Sequence, residues 1–173
     1  MSIDPRRGAL PPSPDVRLPR SLSGKMKRGA VCLALVLTAC GRAPDTGDAI
    51  YRDVAAPISS QVNVTPAQLE GAWQVRVGPL TGPVAAGETL RLDGLRQVGP
   101  GRFEVTQGAL AGQVLWVLWL DGDRRTAAIG RPDGRLGWIM DRAARGGADR
   151  IAAARQIMEW QGYDLGLMKE TGA

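Results

Sequence analysis

Histidine is absent from this chain of 173 residues, and its two cysteines, Cys32 and Cys40, both stand in one apolar front segment. Without His, the commonest general base and the usual metal ligand are missing, and no Ser-His-Asp or Cys-His arrangement can form. With both thiols at the front, the rest of the chain has no disulfide and no thiolate metal site. Asp121 and Asp123 are the close acidic pair on a turn, but Asp-Gly-Asp is ordinary hairpin chemistry. The glycines of Gly99-Pro100-Gly101-Arg102 and of Gly130 to Gly134 lie between strands. They are not at a helix start, where backbone amides converge on phosphate. The basic run Asp123-Arg124-Arg125-Thr126 reads as a solvated turn. No nucleophile stands beside a base, so the expectation is a protein that is not an enzyme and needs no cofactor.

The charge has to be located before it is interpreted. Seven of the 22 basic residues and two of the 17 acidic ones lie in residues 1–39, which leaves 15 of each in 40–173. The formal +5 therefore belongs to the front end, and the remainder shows no electrostatic footprint for nucleic acid. Residues 1–25 are rich in Pro, Arg and Ser and contain nothing able to build a core. Lys27 and Arg28 then precede an apolar run from Ala30 to Leu37 and a small-residue exit at Thr38-Ala39. Eight apolar residues are too few to span a bilayer, which takes about twenty, but they suit the core of a secretory signal. Met26 reads as the natural start, residues 1–25 as an upstream over-read and 26–39 as the signal.

The end of that signal, Leu37-Thr38-Ala39-Cys40, resembles the bacterial lipoprotein lipobox. The resemblance implies that the Cys40 thiol carries a diacylglyceryl group, that cleavage falls just before it, and that the new N-terminus is acylated. Several acyl chains give stable anchoring where one would not, at about 0.8 kcal/mol per buried methylene. Gly41 stands where an Asp would imply retention in the inner membrane, so the expected place is the cell envelope, with the outer membrane favoured. Residues 40–64 mix Gly, Pro, Asp and Ser and read as a tether to a domain over 65–173.

That domain opens with Thr65, Pro66 and Gln68, the spacing of a capped helical turn. The period then becomes two. Trp73, Val75 and Val77 alternate with Gln74 and Arg76, Leu90 and Leu92 with Arg91 and Asp93, and Phe103 and Val105 with Arg102 and Glu104. These are half-buried antiparallel strands. Val114 to Leu120 is apolar on both faces and must be covered on both, and Thr126–Gly130 and Leu136–Met140 follow around a Pro-Asp-Gly turn. At about 8–12 residues per strand and turn, the 72 residues from Gly71 to Arg142 make six or seven strands. From Ala148 the period is helical: Ile151, Ala154, Met158 and Gln161 share a stripe with Ile157 beside it, and Gly162 ends the helix.

The order of these pieces resembles the lipocalin family, and among its members the bacterial lipoprotein lipocalins. Gly71-Ala72-Trp73 stands where the family has Gly-x-Trp on its opening strand. Leu120, Asp121, Arg125 and Ala127 match a hairpin motif in which Arg124 replaces the family's Tyr. Trp138, Ile139 and Arg142 match a late-strand motif, and Gly162-Tyr163-Asp164 follows the helix as in the family. The resemblance implies an all-β fold: an antiparallel up-and-down barrel of six to eight strands, short of the full eight if it is incomplete, with one C-terminal α-helix. It also implies that Trp73 plugs the closed end with Arg142 across its face, a cation–π pair worth about 0.5–2 kcal/mol.

Two functions follow from the resemblance. One is an anchored envelope lipoprotein that binds a small hydrophobic ligand such as a fatty acid or lysophospholipid. The other is a non-catalytic structural or interaction lipoprotein whose shortened barrel is filled by its own side chains. Trp116 and Trp119 have opposite parity, so one is expected to face the interior, and both are candidates to line a pocket. Expected partners are the membrane, through the anchor, the ligand, and a second copy covering any open sheet edge.

Overall fold

The computed structural model describes residues 49–171, so Cys40, the signal segment and residues 1–25 lie outside the described residues. A helical turn, α1 (Pro66–Leu69), leads into strand β1 (Gly71–Gly78). Gln68 Oε1 accepts from the Thr65 N–H at 2.8 Å, which satisfies one free amide at the helix start. The strands that follow are β2 (Thr89–Leu92), β3 (Leu95–Gly99), β4 (Arg102–Val105), β5 (Val114–Leu120), β6 (Thr126–Gly130) and β7 (Gly137–Asp141). Helix α2 (Ala148–Trp160) comes next, and the two-residue β8 (Lys169–Glu170) pairs with the end of β1.

All the pairings are antiparallel, in the order β2-β1-β7-β6-β5-β4-β3. The first and last strands of that order are consecutive in the chain, joined only by Asp93 and Gly94. The sheet therefore curls until its two edges meet end to end at this corner, giving an incomplete barrel. The Thr106 N–H and hydroxyl both donate to the Gly94 carbonyl, at 2.9 and 2.6 Å, and hold the corner against the end of β4. Strand β3 has no clear alternation in the sequence, and its Arg96 and Gln97 are exposed.

Curling gives the sheet two apolar faces that need separate cover. Inside lie Trp73, Val75, Leu92, Phe103, Val105, Val117, Ala127, Ile129, Trp138 and Met140, with Leu69 of α1. Outside, Val77, Leu118, Ala128 and Ile139 pack against Ile151, Ala154 and Met158 of α2 and against Tyr163. Every residue of β6 and β7 is buried as a result.

Two bulges decide which side chains reach which face. Strict alternation would put Val77 with Trp73 and Val75, but the β1–β7 register shifts between Val75 and Val77, and Val77 joins the outer cluster. Arg76, expected as a solvated residue, is buried and donates to the carbonyls of Thr171, Ala143 and Gly146. The second shift, between Val117 and Trp119 of β5, puts Trp116, Leu118 and Trp119 all on the outer cluster. A bulge adds one residue to one strand, so parity counted across it is wrong by one.

Of the tether expected over 40–64, residues 49–64 instead form a strap bonded to the domain, and 40–48 lie outside the described residues. Tyr51 N–H donates to Gly134 O, Asp53 N–H to Gly162 O and Gln61 N–H to Val117 O, each at 2.8 Å. Arg52 is buried and donates to the carbonyls of Gln161 (2.7 Å), Pro132 (2.9 Å) and Ala56. Gln61 also covers the part of β5 that the short β4 leaves unpaired, since its Oε1 accepts from Leu120 N–H at 2.8 Å. A mixed Gly, Pro and Asp composition reads as linker because it shows no periodicity. The backbone bonds that order it do not depend on periodicity.

Tyr163 ties the helix end to the sheet. Its ring lies over Gly130 and Gly137, where a Cβ on either glycine would overlap the ring or its hydroxyl. Its hydroxyl accepts from Arg131 N–H at 2.8 Å and lies 3.0 Å from Leu136 O. Burial pushes its pKa up to about 12. Since the phenol is harder to ionise folded than unfolded, its contribution to stability is complete below about pH 10 and is lost as pH rises towards 12. Tyr163→Phe is expected to cost about 1–2 kcal/mol at neutral pH. It should also reduce the alkaline fall in stability, as followed by urea unfolding between about pH 8 and 12.

Candidate functional site

The antiparallel order sorts the loops into two ends. The α1 turn, the β3–β4 and β5–β6 turns and the β7–α2 connection lie at one end. The β1–β2, β4–β5 and β6–β7 loops lie at the other.

The first end is closed. Trp73 is fully buried, and its Nε1 donates to Leu69 O at 2.6 Å. The Arg142 guanidinium lies over the indole with Cζ 3.5 Å from the ring centroid. Its N–H groups donate to Ala72 O at 2.9 Å, Gln68 O at 3.1 Å and Glu70 O at 3.0 Å. Gln68 and Glu70 lie at the end of α1 and Ala72 on β1, so one cation ties the helix end, the opening strand and the ring together. Burial lowers the Arg142 pKa from its ordinary value, and the carbonyls and ring face offset that desolvation. Gly71 has φ +98°, a backbone conformation that favours glycine, and it leads the chain from α1 into β1 beside Arg142.

Beside this base sits a polar cluster that sequence reasoning missed. Asp141, fully buried at the end of β7, accepts from the Thr126 hydroxyl (2.6 Å), Ala143 N–H (2.7 Å) and Arg150 (3.1 Å). Burial alone would raise its pKa. The Thr126 hydroxyl, the Ala143 amide and the Arg150 cation outweigh it, and the net shift is downward. Arg150 also donates to the Thr126 hydroxyl at 2.9 Å, which ties the start of α2 to β6 and β7. The only sequence signal was a carboxylate at the end of a strand otherwise apolar on both faces. Asp121 accepts from the amides of Arg125 and Thr126 at 2.6 and 2.7 Å, so it builds its hairpin rather than a reactive pair with Asp123. Arg124, at the position of the family's Tyr, takes φ +59° in that turn.

Neither Trp116 nor Trp119 reaches the interior. The expectation that one would do so is corrected by the β5 bulge, which places both on the outer cluster. Arg102 stacks on Trp116 with Cζ 3.8 Å from the ring centroid. Trp119 borders an outer cleft of about 370 Å³ with Asp121, Asp123, Asp149, Arg150 and Ala153.

The second end is an open mouth. A cleft of about 440 Å³ is lined by Pro83 of the β1–β2 loop, Ala109, Leu110 and Gln113 of the β4–β5 loop, and Arg131, Arg135 and Leu136 of the β6–β7 loop. Leu110 belongs to the interior apolar cluster and partly buried Leu136 packs against it, so the cleft floor is continuous with the core. The interior itself holds Trp73, Trp138 and Phe103, each fully buried. What the arrangement offers is an apolar floor with polar groups at its rim, a pattern suited to holding a small amphipathic molecule.

Trp73→Ala should cost about 3–5 kcal/mol. A Trp73/Arg142 double-mutant cycle in urea unfolding should show coupling of about 0.5–2 kcal/mol, and zero coupling would remove the pairing as a contributor. Because Asp141 has a depressed pKa when folded, its contribution is present above the unfolded value of 3.8 and is lost as pH falls through and below it. Asp141→Asn should therefore be destabilised at neutral pH and show a flatter acid limb than the parent from about pH 5 to pH 2.

No curated protein matches the chain. Residues 102–173, which run from β4 through α2 to β8, match the family model of the lipocalin-like domain. Strand β1, with Gly71 and Trp73, pairs directly with β7 of the matched region, and Arg142 of that region lies on Trp73. The matched segment, the curled antiparallel sheet and the C-terminal helix together support a lipocalin-family assignment, with an incomplete barrel.

Proposed function

We propose that this protein is a lipoprotein of the bacterial cell envelope, anchored by acyl chains on Cys40, favouring the outer membrane. In this reading its lipocalin-like domain takes a small hydrophobic ligand, such as a fatty acid or lysophospholipid, at the open mouth. The anchor rests on Lys27-Arg28, the apolar run and Leu37-Thr38-Ala39-Cys40. The ligand reading is carried by one observation: three loops at the end opposite the Trp73–Arg142 base converge on a cleft whose floor includes Leu110 and Leu136. Arg131 at its rim already holds Gln113 and Asp133, so a headgroup would share that charge rather than find it free. The role is binding, with no reaction proposed.

A second reading is favoured by the interior. With Trp73, Trp138 and Phe103 buried among aliphatic side chains, the barrel is filled, and the domain would then serve envelope structure or interaction with another component. Calorimetric titration of delipidated protein with lauric acid and with lysophosphatidylcholine separates the two. The ligand reading expects saturable heat that Leu110→Glu and Leu136→Glu abolish while the thermal transition stays cooperative. Heats that never saturate in the parent protein would give the filled-barrel reading its place.

A further inference from the structure

Eight large apolar side chains of the described domain are exposed, and four of them stand on two adjoining stretches of chain. Ile50 and Val54 on the strap are 51% and 60% exposed, and Trp160 and Leu167 around the end of α2 are 74% and 52% exposed. The two stretches run side by side. Asp164 N–H donates to Tyr51 O, Asp53 N–H donates to Gly162 O, and Arg52 bridges to Tyr163. The other four, Val62, Leu80, Val98 and Val114, sit on separate elements. The patch is held in place from beneath by buried Arg52, whose guanidinium reaches Gln161 and Pro132. It also borders the mouth, since Tyr51 N–H donates to Gly134 O in the β6–β7 loop, next to the cleft residues Arg131 and Arg135.

We infer that this face, Ile50, Val54, Trp160 and Leu167, seats on the surface of a zwitterionic phospholipid bilayer. The inference rests on the reading of Cys40 as the anchor. About nine residues lead from Cys40 to Ala49, and a fully extended chain of that length spans about 30 Å at most. That short reach ends next to Ile50, within the patch itself, so an anchored domain would present this face to the lipid. Tryptophan with its ring in apolar surroundings and its N–H near water is the side chain best suited to the headgroup boundary. Among the described residues no helix is long and apolar enough to cross a membrane, so the contact is peripheral. Asp53, Glu159 and Asp164 are exposed around the patch and outnumber Arg135, exposed beside Gly134 and Ile50, so a zwitterionic surface is favoured over an anionic one. Docked in this way, the mouth rim stands beside the lipid surface from which an acyl ligand would come.

The test uses full-length protein extracted from membranes in detergent and returned to phosphatidylcholine vesicles whose acyl chains carry bromine. The docking expects bromine to quench a component of the tryptophan emission that is lost in Trp160→Phe and weakened in Val54→Asp. Quenching that is identical in the parent and Trp160→Phe would overturn it. Stronger quenching when phosphatidylglycerol replaces phosphatidylcholine would overturn the zwitterionic assignment. Shielding of Trp160 that depends on protein concentration and not on lipid would replace the bilayer with a second copy. The intact mass of the extracted protein reads the anchor separately. A mass without acyl chains defeats the Cys40 reading, while quenching of protein added to excess vesicles still decides the docking.

Discussion

A charged group drawn partly out of water organises the closed end of this domain. The Arg142 guanidinium rests on Trp73 and takes up three carbonyls around the end of α1, so a helical turn, the opening strand and the last long strand converge on a single cation. An arginine keeps its charge when desolvated, so its surroundings have to supply what water gave up. Here they supply a ring face on one side and, on the other, carbonyls from the end of α1 and the start of β1. A hydrophobic plug could close the base without fixing how α1 sits on β1. The directional bonds of the guanidinium fix that orientation, and Gly71 supplies the positive φ at the junction.

From that base the sheet has to hide two apolar faces with little material. The interior is packed by the curl, and the outer face of β6 and β7 is packed by α2 and Tyr163. Small residues at Ala128, Gly130 and Gly137 make this possible, because the outer face must let a helix and its Tyr approach closely. The Thr126–Asp141–Arg150 cluster sits where the two layers meet, and its hydrogen bonds explain how a carboxylate can be fully buried there.

Much of this was legible in the sequence where its physical signal is local. Alternation located β1, β2 and β4, the doubly apolar run located β5, and the helical stripe of Ile151, Ala154 and Met158 located α2 and the face it buries. What was not legible depends on partners distant in the chain. Nothing near Trp116 and Trp119 marks the bulge between them, because it is set by how β5 pairs with β6 and by Gln61 bonding the backbone on its other side. Arg52 looks like a linker residue until Gln161 and Pro132 come round to accept its bonds. Arg76 and Asp141 follow the same rule: a lone charge within a strand pattern says that something polar must meet it, but not what.

The strap also bears on what the mouth can do. A lipocalin-like barrel with Trp73, Trp138 and Phe103 inside has spent its interior on its own packing, so any ligand must be held at the rim, where only part of it is removed from water. At about 25 cal/mol per Å² of apolar surface buried, partial burial gives weaker binding than enclosure, and weak binding is effective only where ligand is locally concentrated. A membrane is such a place. The strap begins beside the mouth loop, so an anchor at its far end would keep the cleft close to lipid without needing a deep cavity. Under the proposed anchoring at Cys40, the shortened barrel and the short reach would belong together: the less of a ligand a domain can enclose, the nearer it must stay to the ligand's source.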